Sequence, residues 1–91
     1  MRKITADIQN AIRTQSKFKG ANTEITDGIV RFHGHIIAKQ CPISGVWSFC
    51  FQGYRTNTTR DRINAVRGAL GLPLVSLTQF HDAGSLLTWF N

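Results

Sequence analysis

The sequence is poor in the features that mark several protein classes. Two cysteines in 91 residues, Cys41 and Cys50, are too few to staple a secreted disulfide scaffold, so reduced thiols and a cytoplasmic setting are expected. Apolar runs are a few residues long, against the ~20 that span a bilayer, which excludes a membrane helix and predicts no membrane partner. Met1 to Asp7 starts basic with no apolar run behind it, so no secretory signal is expected. Low-complexity stretches, linkers and internal repeats are missing. Acids are scarce and scattered, at Asp7, Glu24, Asp27, Asp61 and Asp82, and no pair of them suggests general acid and base chemistry.

Basic residues are what the chain has in excess. Eleven Lys and Arg against five Asp and Glu leave a formal charge of +6 and a pI near 10.2, which makes a polyanion or an acidic protein surface the first partner to consider. The excess falls in two places. Arg2, Lys3, Arg13, Lys17 and Lys19 against Asp7 give 5 − 1 = +4, and Arg55, Arg60, Arg62 and Arg67 against Asp61 give 4 − 1 = +3. With 42% hydrophobic and 18% charged residues, the composition is that of one globular domain over residues 1–91 and not of a disordered chain.

Periodicity predicts an α+β fold. Thr5 is the expected cap of a first helix whose Ile4, Ile8, Ala11 and Ile12 share one face, with Gly20 placed to end it. Thr23 to Thr26, Asp27-Gly28 and Ile29 to His33 predict a hairpin, since Asp-Gly tolerates the positive φ of a two-residue turn. Gly34 predicts a second reversal into Ile36-Ile37-Ala38, followed by a loop over Cys41 to Gly45. Val46 to Gln52 reads as a strand with Trp47, Phe49 and Phe51 on one face.

Thr58-Thr59-Arg60-Asp61 reads as a capping box for a second helix. Its buried stripe is expected to be Ile63, Val66, Ala69 and Leu70, and its solvent stripe Arg60, Asn64 and Arg67. Leu74 to Phe80 and Leu86 to Phe90 read as final strands around the turn His81-Asp82-Ala83-Gly84. The expected order is α-β-β-β-β-α-β-β, an antiparallel sheet of five to six strands with two helices packed on one side.

Asn22-Thr23, His33-Gly34-His35-Ile36-Ile37-Ala38 and Gly53-Tyr54-Arg55-Thr56-Asn57-Thr58-Thr59-Arg60-Asp61-Arg62-Ile63-Asn64-Ala65 together resemble a group of small bacteriophage accessory proteins. These share a Thr-x-Thr-Thr-Arg-x-Arg-Ile-Asn type motif, and the resemblance runs from about residue 18 to the C-terminus. It implies a phage origin and carries no catalytic residue.

His33, His35, Cys41 and Cys50 are soft-metal ligand types, yet no Cys-x-x-Cys knuckle is present and Cys50 alternates with aromatics in a strand, so neither a metal nor any other cofactor is expected. A small nuclease using His33, His35 or His81 is one reading. A stacking platform of Trp47, Phe49 and Phe51 is another, set against their use as core. The candidate contacts to a partner or polyanion are Arg13, Lys17, Lys19, Arg55, Thr58, Arg60, Arg62 and Arg67, the last four on a helix whose start favours anions. Replacing Arg60 and Arg62 together is expected to leave stability nearly unchanged, because exposed charges contribute little to it.

The expected function is non-enzymatic: a phage accessory protein in the host cytoplasm that binds and blocks a host protein or protein–nucleic acid complex, as an anti-CRISPR inhibitor does. Direct DNA or RNA binding through Arg13 to Lys19 and Arg55 to Arg67 is the alternative, and convergence of the two patches on one face would favour it.

Overall fold

Ile4, Ile8, Ala11 and Ile12 put one apolar stripe on helix α1 (Lys3–Thr14), and the sheet that follows is built to receive it. The computed structural model describes residues 3–80, 82 and 84–91. Five strands follow α1: β1 (Phe18–Gly20), β2 (Thr23–Thr26), β3 (Ile29–Phe32), β4 (His35–Gln40) and β5 (Trp47–Phe49). They pair antiparallel in sequence order, and helix α2 (Asn57–Ala69) then packs beside α1 on the same face. This is the expected α+β domain with both helices on one side of an antiparallel sheet.

Two of the reversals are the two-residue turns the sequence announces. Asp27-Gly28 and His33-Gly34 all have positive φ, between 51° and 82°, the conformation that lets a tight hairpin follow the strand twist. A third turn, Ala21-Asn22, carries the same positive φ with no glycine, and for that reason β1 is invisible in the sequence. Gly20 therefore lies inside a strand instead of ending α1. The helix stops at Thr14, whose Oγ1 donates back to the Asn10 carbonyl at 2.8 Å, and Gln15 turns away at φ 56°. Thr5 lies within α1 and is not its cap.

Ile25, Val30, Phe32, Ile37, Ala38 and Phe49 face the helices and are buried with Ile8, Ala11, Ile63, Ala65 and Val66. A bulge between Val30 and Arg31 shifts the register so that Ile37 and Ala38, adjacent in β4, are both buried. Phe49 and Phe51 are fully buried and Trp47 is half-buried, so these aromatics form core and not an open stacking platform. Phe51 meets Phe80 edge-on, with centroids 4.5 Å apart, and Phe90 closes the cluster. Cys50 is buried too, its Sγ 3.6 Å from the Leu86 carbonyl, where it acts as a small buried hydrophobe.

Beyond α2 the two expected strands do not form. Asn64 captures the backbone of Val75 from both sides, accepting its N–H and donating to its carbonyl at 2.9 Å, which removes those groups from any ladder. Ser76 then caps a 3-10 turn, Leu77–Gln79, with the Gln79 amide returning the bond. A second 3-10 turn covers Ser85–Leu87, and the Asp82 carboxylate accepts the Ser85 N–H at 2.9 Å. Among the described residues beyond α2, Phe90 alone returns to the sheet, exchanging both backbone hydrogen bonds with Phe49. His81 and Ala83 lie outside the described residues.

Candidate binding surfaces

The start of α2 forms one wall of a cleft. Its cap is Thr56, two residues before the expected Thr58: Thr56 is extended (φ −126°, ψ 151°) and its Oγ1 accepts the Thr59 N–H at 3.2 Å. Thr58 therefore lies inside the helix, past its cap, and does not open a Thr58–Asp61 capping box; Asp61 pairs with Arg60 at 3.3 Å. The other wall comes from the β3–β4 turn, which brings His33 and His35 against Tyr54, Thr56, Thr58 and Thr59. The Tyr54 hydroxyl and His35 Nε2 are 3.1 Å apart, with ring centroids at 5.2 Å. Phe32 and Ile37 complete a cleft of about 410 Å³, apolar at its base and polar at its rim.

The eight basic or polar candidates separate into different environments. Arg62 and Arg67 are not surface residues: 7% and 6% exposed, both are drawn into the interior. Arg62 Nε donates to Thr23 Oγ1 at 3.1 Å and its guanidinium lies over the Phe32 ring. Arg67 Nε donates to the Pro73 carbonyl at 2.7 Å, its Nη1 donates to the Asn91 carbonyl, and its plane covers Phe49 and Phe90. Burial pushes the Arg67 pKa down from its ordinary value. An arginine suits this work, since its flat fork can stack on rings while donating from its edge. The solvent stripe expected for α2 is thus corrected at Arg67, and the buried stripe at Ala69 and Leu70, which are only half-buried.

Arg13, Lys17, Lys19, Arg55 and Thr58 are exposed and Arg60 is half-exposed, yet they do not share one face. The helices run in the same direction: Thr5 borders a groove with Arg60 and Asn64, Gln9 meets Gly68, and Ile12 borders a hollow with Leu70. Arg13 and Lys17 therefore lie at the far end of the helix pair from Arg55, Thr58 and Arg60, roughly 18 Å away at 1.5 Å per residue. Lys19 is on the opposite surface, the outer face of the sheet.

That outer face holds cations the sequence reading passed over. In register across β1, β2 and β3, Lys19 faces Glu24 and Glu24 faces Arg31. Lys39 on β4 sits over the Trp89 ring, 4.2 Å from its centroid. The signal was present as charges at the polar positions of alternating strands, but it needed the register to align them.

The Kyanoviridae Gp96 protein family matches residues 1–82. The chain belongs to this phage family. The match begins before the region carrying the Thr-Thr-Arg-x-Arg resemblance and stops short of Trp89 and Phe90. No curated protein and no solved structure matches the chain.

In this family member the soft-metal ligand types do not form one set. His35 and Cys41 stand at opposite ends of β4, about 20 Å apart at ~3.3 Å per residue, and Cys50 is inside the core. Among the described residues, no three His, Cys, Asp or Glu side chains come together as metal ligands, and no helix is long and apolar enough to cross a membrane. The loop from Cys41 to Val46 is tied by Cys41 N–H to the Val46 carbonyl (2.9 Å), Gly45 N–H to the Cys41 carbonyl (2.8 Å) and Gln40 Nε2 to the Gly45 carbonyl (3.2 Å). At its tip Ile43 is 95% exposed, beside an exposed Val46. Hydrogen bonds from the Ser44 side chain, then from the backbone of Ser44 and Ile43, lower the Cys41 thiol to about 7.

Proposed function

We propose that this protein acts by binding and covering a host component, without catalysis, and that its specific role is counter-defence inhibition of the anti-CRISPR type in the host cytoplasm. Membership of a phage family supports the setting. The observation that carries the binding reading is the β4–β5 loop: a hydrogen-bonded scaffold holds Ile43 almost wholly in water, where an isoleucine contributes nothing to its own fold. A pre-ordered apolar tip loses little conformational entropy on docking, which is what an anchor residue in a partner's pocket requires.

The test is a plaquing assay in a host whose CRISPR system targets the infecting phage. Expression of the protein should restore plaquing, and Ile43→Asp should abolish the rescue while melting at the same temperature. Failure of the wild-type protein to rescue plaquing overturns the anti-CRISPR role. Rescue by Ile43→Asp equal to wild type overturns the loop as its anchor.

Direct nucleic-acid binding is the second reading. Two surviving patches on separate ends of the helix layer weaken its original form, but the outer sheet face, with Lys19, Arg31 and Lys39 against Glu24, supplies a different basic surface for it.

A further inference from the structure

We infer that the outer sheet face and the cleft at the start of α2 form one track for a single-stranded nucleic acid, crossing the His33-Gly34 turn; this rests on the nucleic-acid reading and names its ligand and path. Two hollows meet at that turn. One, about 320 Å³, lies on the outer end of β1 to β3 and is bordered by Lys19, Asn22, Glu24 and Arg31. The other is the 410 Å³ cleft of His35, Tyr54 and Thr58. His33 borders both, so the two hollows adjoin at its side chain.

The two hollows offer complementary chemistry. Lys19 and Arg31 flank Glu24 in register, and among the described residues neither closes an ion pair with it, which leaves both cations to answer phosphates in this proposal. The cleft is walled by the rings of His35 and Tyr54 over a base of Phe32 and Ile37, with the Tyr54 ring half-exposed. Phosphate-binding cations followed by aromatic faces are what single-strand binders use, because every base has a flat face to stack once it is free of a partner strand. A duplex keeps its bases stacked inside and has nothing to offer the cleft. An acidic peptide would answer the cations but gain little from the rings. Glu24 stands within the path as a repelling charge, which gives the proposal a variant of opposite sign.

The test is fluorescence anisotropy with the full chain and an end-labelled 12-nucleotide single strand of mixed sequence, at rising salt. Wild type should bind at low salt and weaken steeply as salt rises. Arg31→Ala should weaken binding and reduce the logarithmic salt slope by about 0.7, as loss of one phosphate contact on a single strand requires. Tyr54→Ala should weaken it about tenfold or more with an unchanged slope, as loss of a stacked base does. Glu24→Gln should tighten it. If Arg31→Ala lowers the melting temperature, Lys19→Ala at its exposed position replaces it. Binding by wild type that none of these variants alters overturns the track but leaves the nucleic-acid reading standing. No binding at low salt overturns both. Equal affinity for the duplex overturns the single-strand assignment, and displacement by a poly-glutamate peptide as readily as by an unlabelled oligonucleotide of equal charge assigns the surface to acidic protein and overturns the proposal.

Discussion

Arg62 Nε and Thr23 Oγ1 lie 3.1 Å apart across the helix–sheet interface, and this bond turns a helix arginine into a structural tie. Thr23 is 2% exposed on β2, and Arg62 reaches it across the Phe32 ring. A hydrogen bond to a charged group contributes about 1.5–3 kcal/mol, and leaving a buried donor unmade costs at least as much as the bond gains.

Arg60 and Arg62, two residues apart, should therefore behave differently. Arg62→Ala is expected to lose about 1.5–3 kcal/mol, which lowers the melting temperature by several degrees for each kcal/mol in a domain of this size. Arg60→Ala, which breaks a part-exposed pair with Asp61, should stay within about 0.5 kcal/mol. Thermal melts of the single variants separate the two. The double alanine variant should melt like Arg62→Ala alone, in contrast to the neutral outcome expected from the sequence.

The helix start makes a second distinction. Thr56→Ala removes the hydroxyl that accepts the Thr59 N–H and should cost about 1 kcal/mol in urea denaturation. Thr58→Ala, at an exposed position with no capping bond, should be neutral within about 0.5 kcal/mol. Equal effects at the two positions would argue that the cap is not Thr56.

Cys41 should be the reactive thiol. Its value near 7 means that the thiolate, the form that attacks, grows as pH rises through 7 and disappears below it. Alkylation by iodoacetamide should reach half its maximal rate at about pH 7, one label per chain, with the buried Cys50 untouched. Ser44→Ala removes the largest lowering contact and should move the midpoint upward; an unmoved midpoint would show that Ser44 does not hold the thiolate.

Much of the fold can be read from local order in the sequence. The α1 stripe, the Asp27-Gly28 and His33-Gly34 turns and the alternating strands between them each depend on neighbours within a few residues, so periodicity and turn chemistry reveal them. Phage origin was likewise legible in the motif-bearing segment, and the family match confirms it at that coarser level. β1 was hidden because its turn, Ala21-Asn22, has no glycine to announce it. The last two strands were expected from apolar runs, but Asn64 of α2 claims the Val75 backbone groups in the first, and a 3-10 turn over Ser85–Leu87 takes up the start of the second.

The sequence by itself determined a basic, single α+β domain with a one-sided helix layer, since composition and hydrophobic period are local quantities. Which basic residues face the solvent was decided only by the tertiary structure. Arg60, Arg62 and Arg67 are alike in sequence, but the sheet beneath α2 offers a threonine hydroxyl and aromatic rings to one helix face and water to the other. The two charge clusters were separated by the parallel run of α1 and α2, and Lys19 and Arg31 were brought together by strand register, both of them relations between residues distant in the chain.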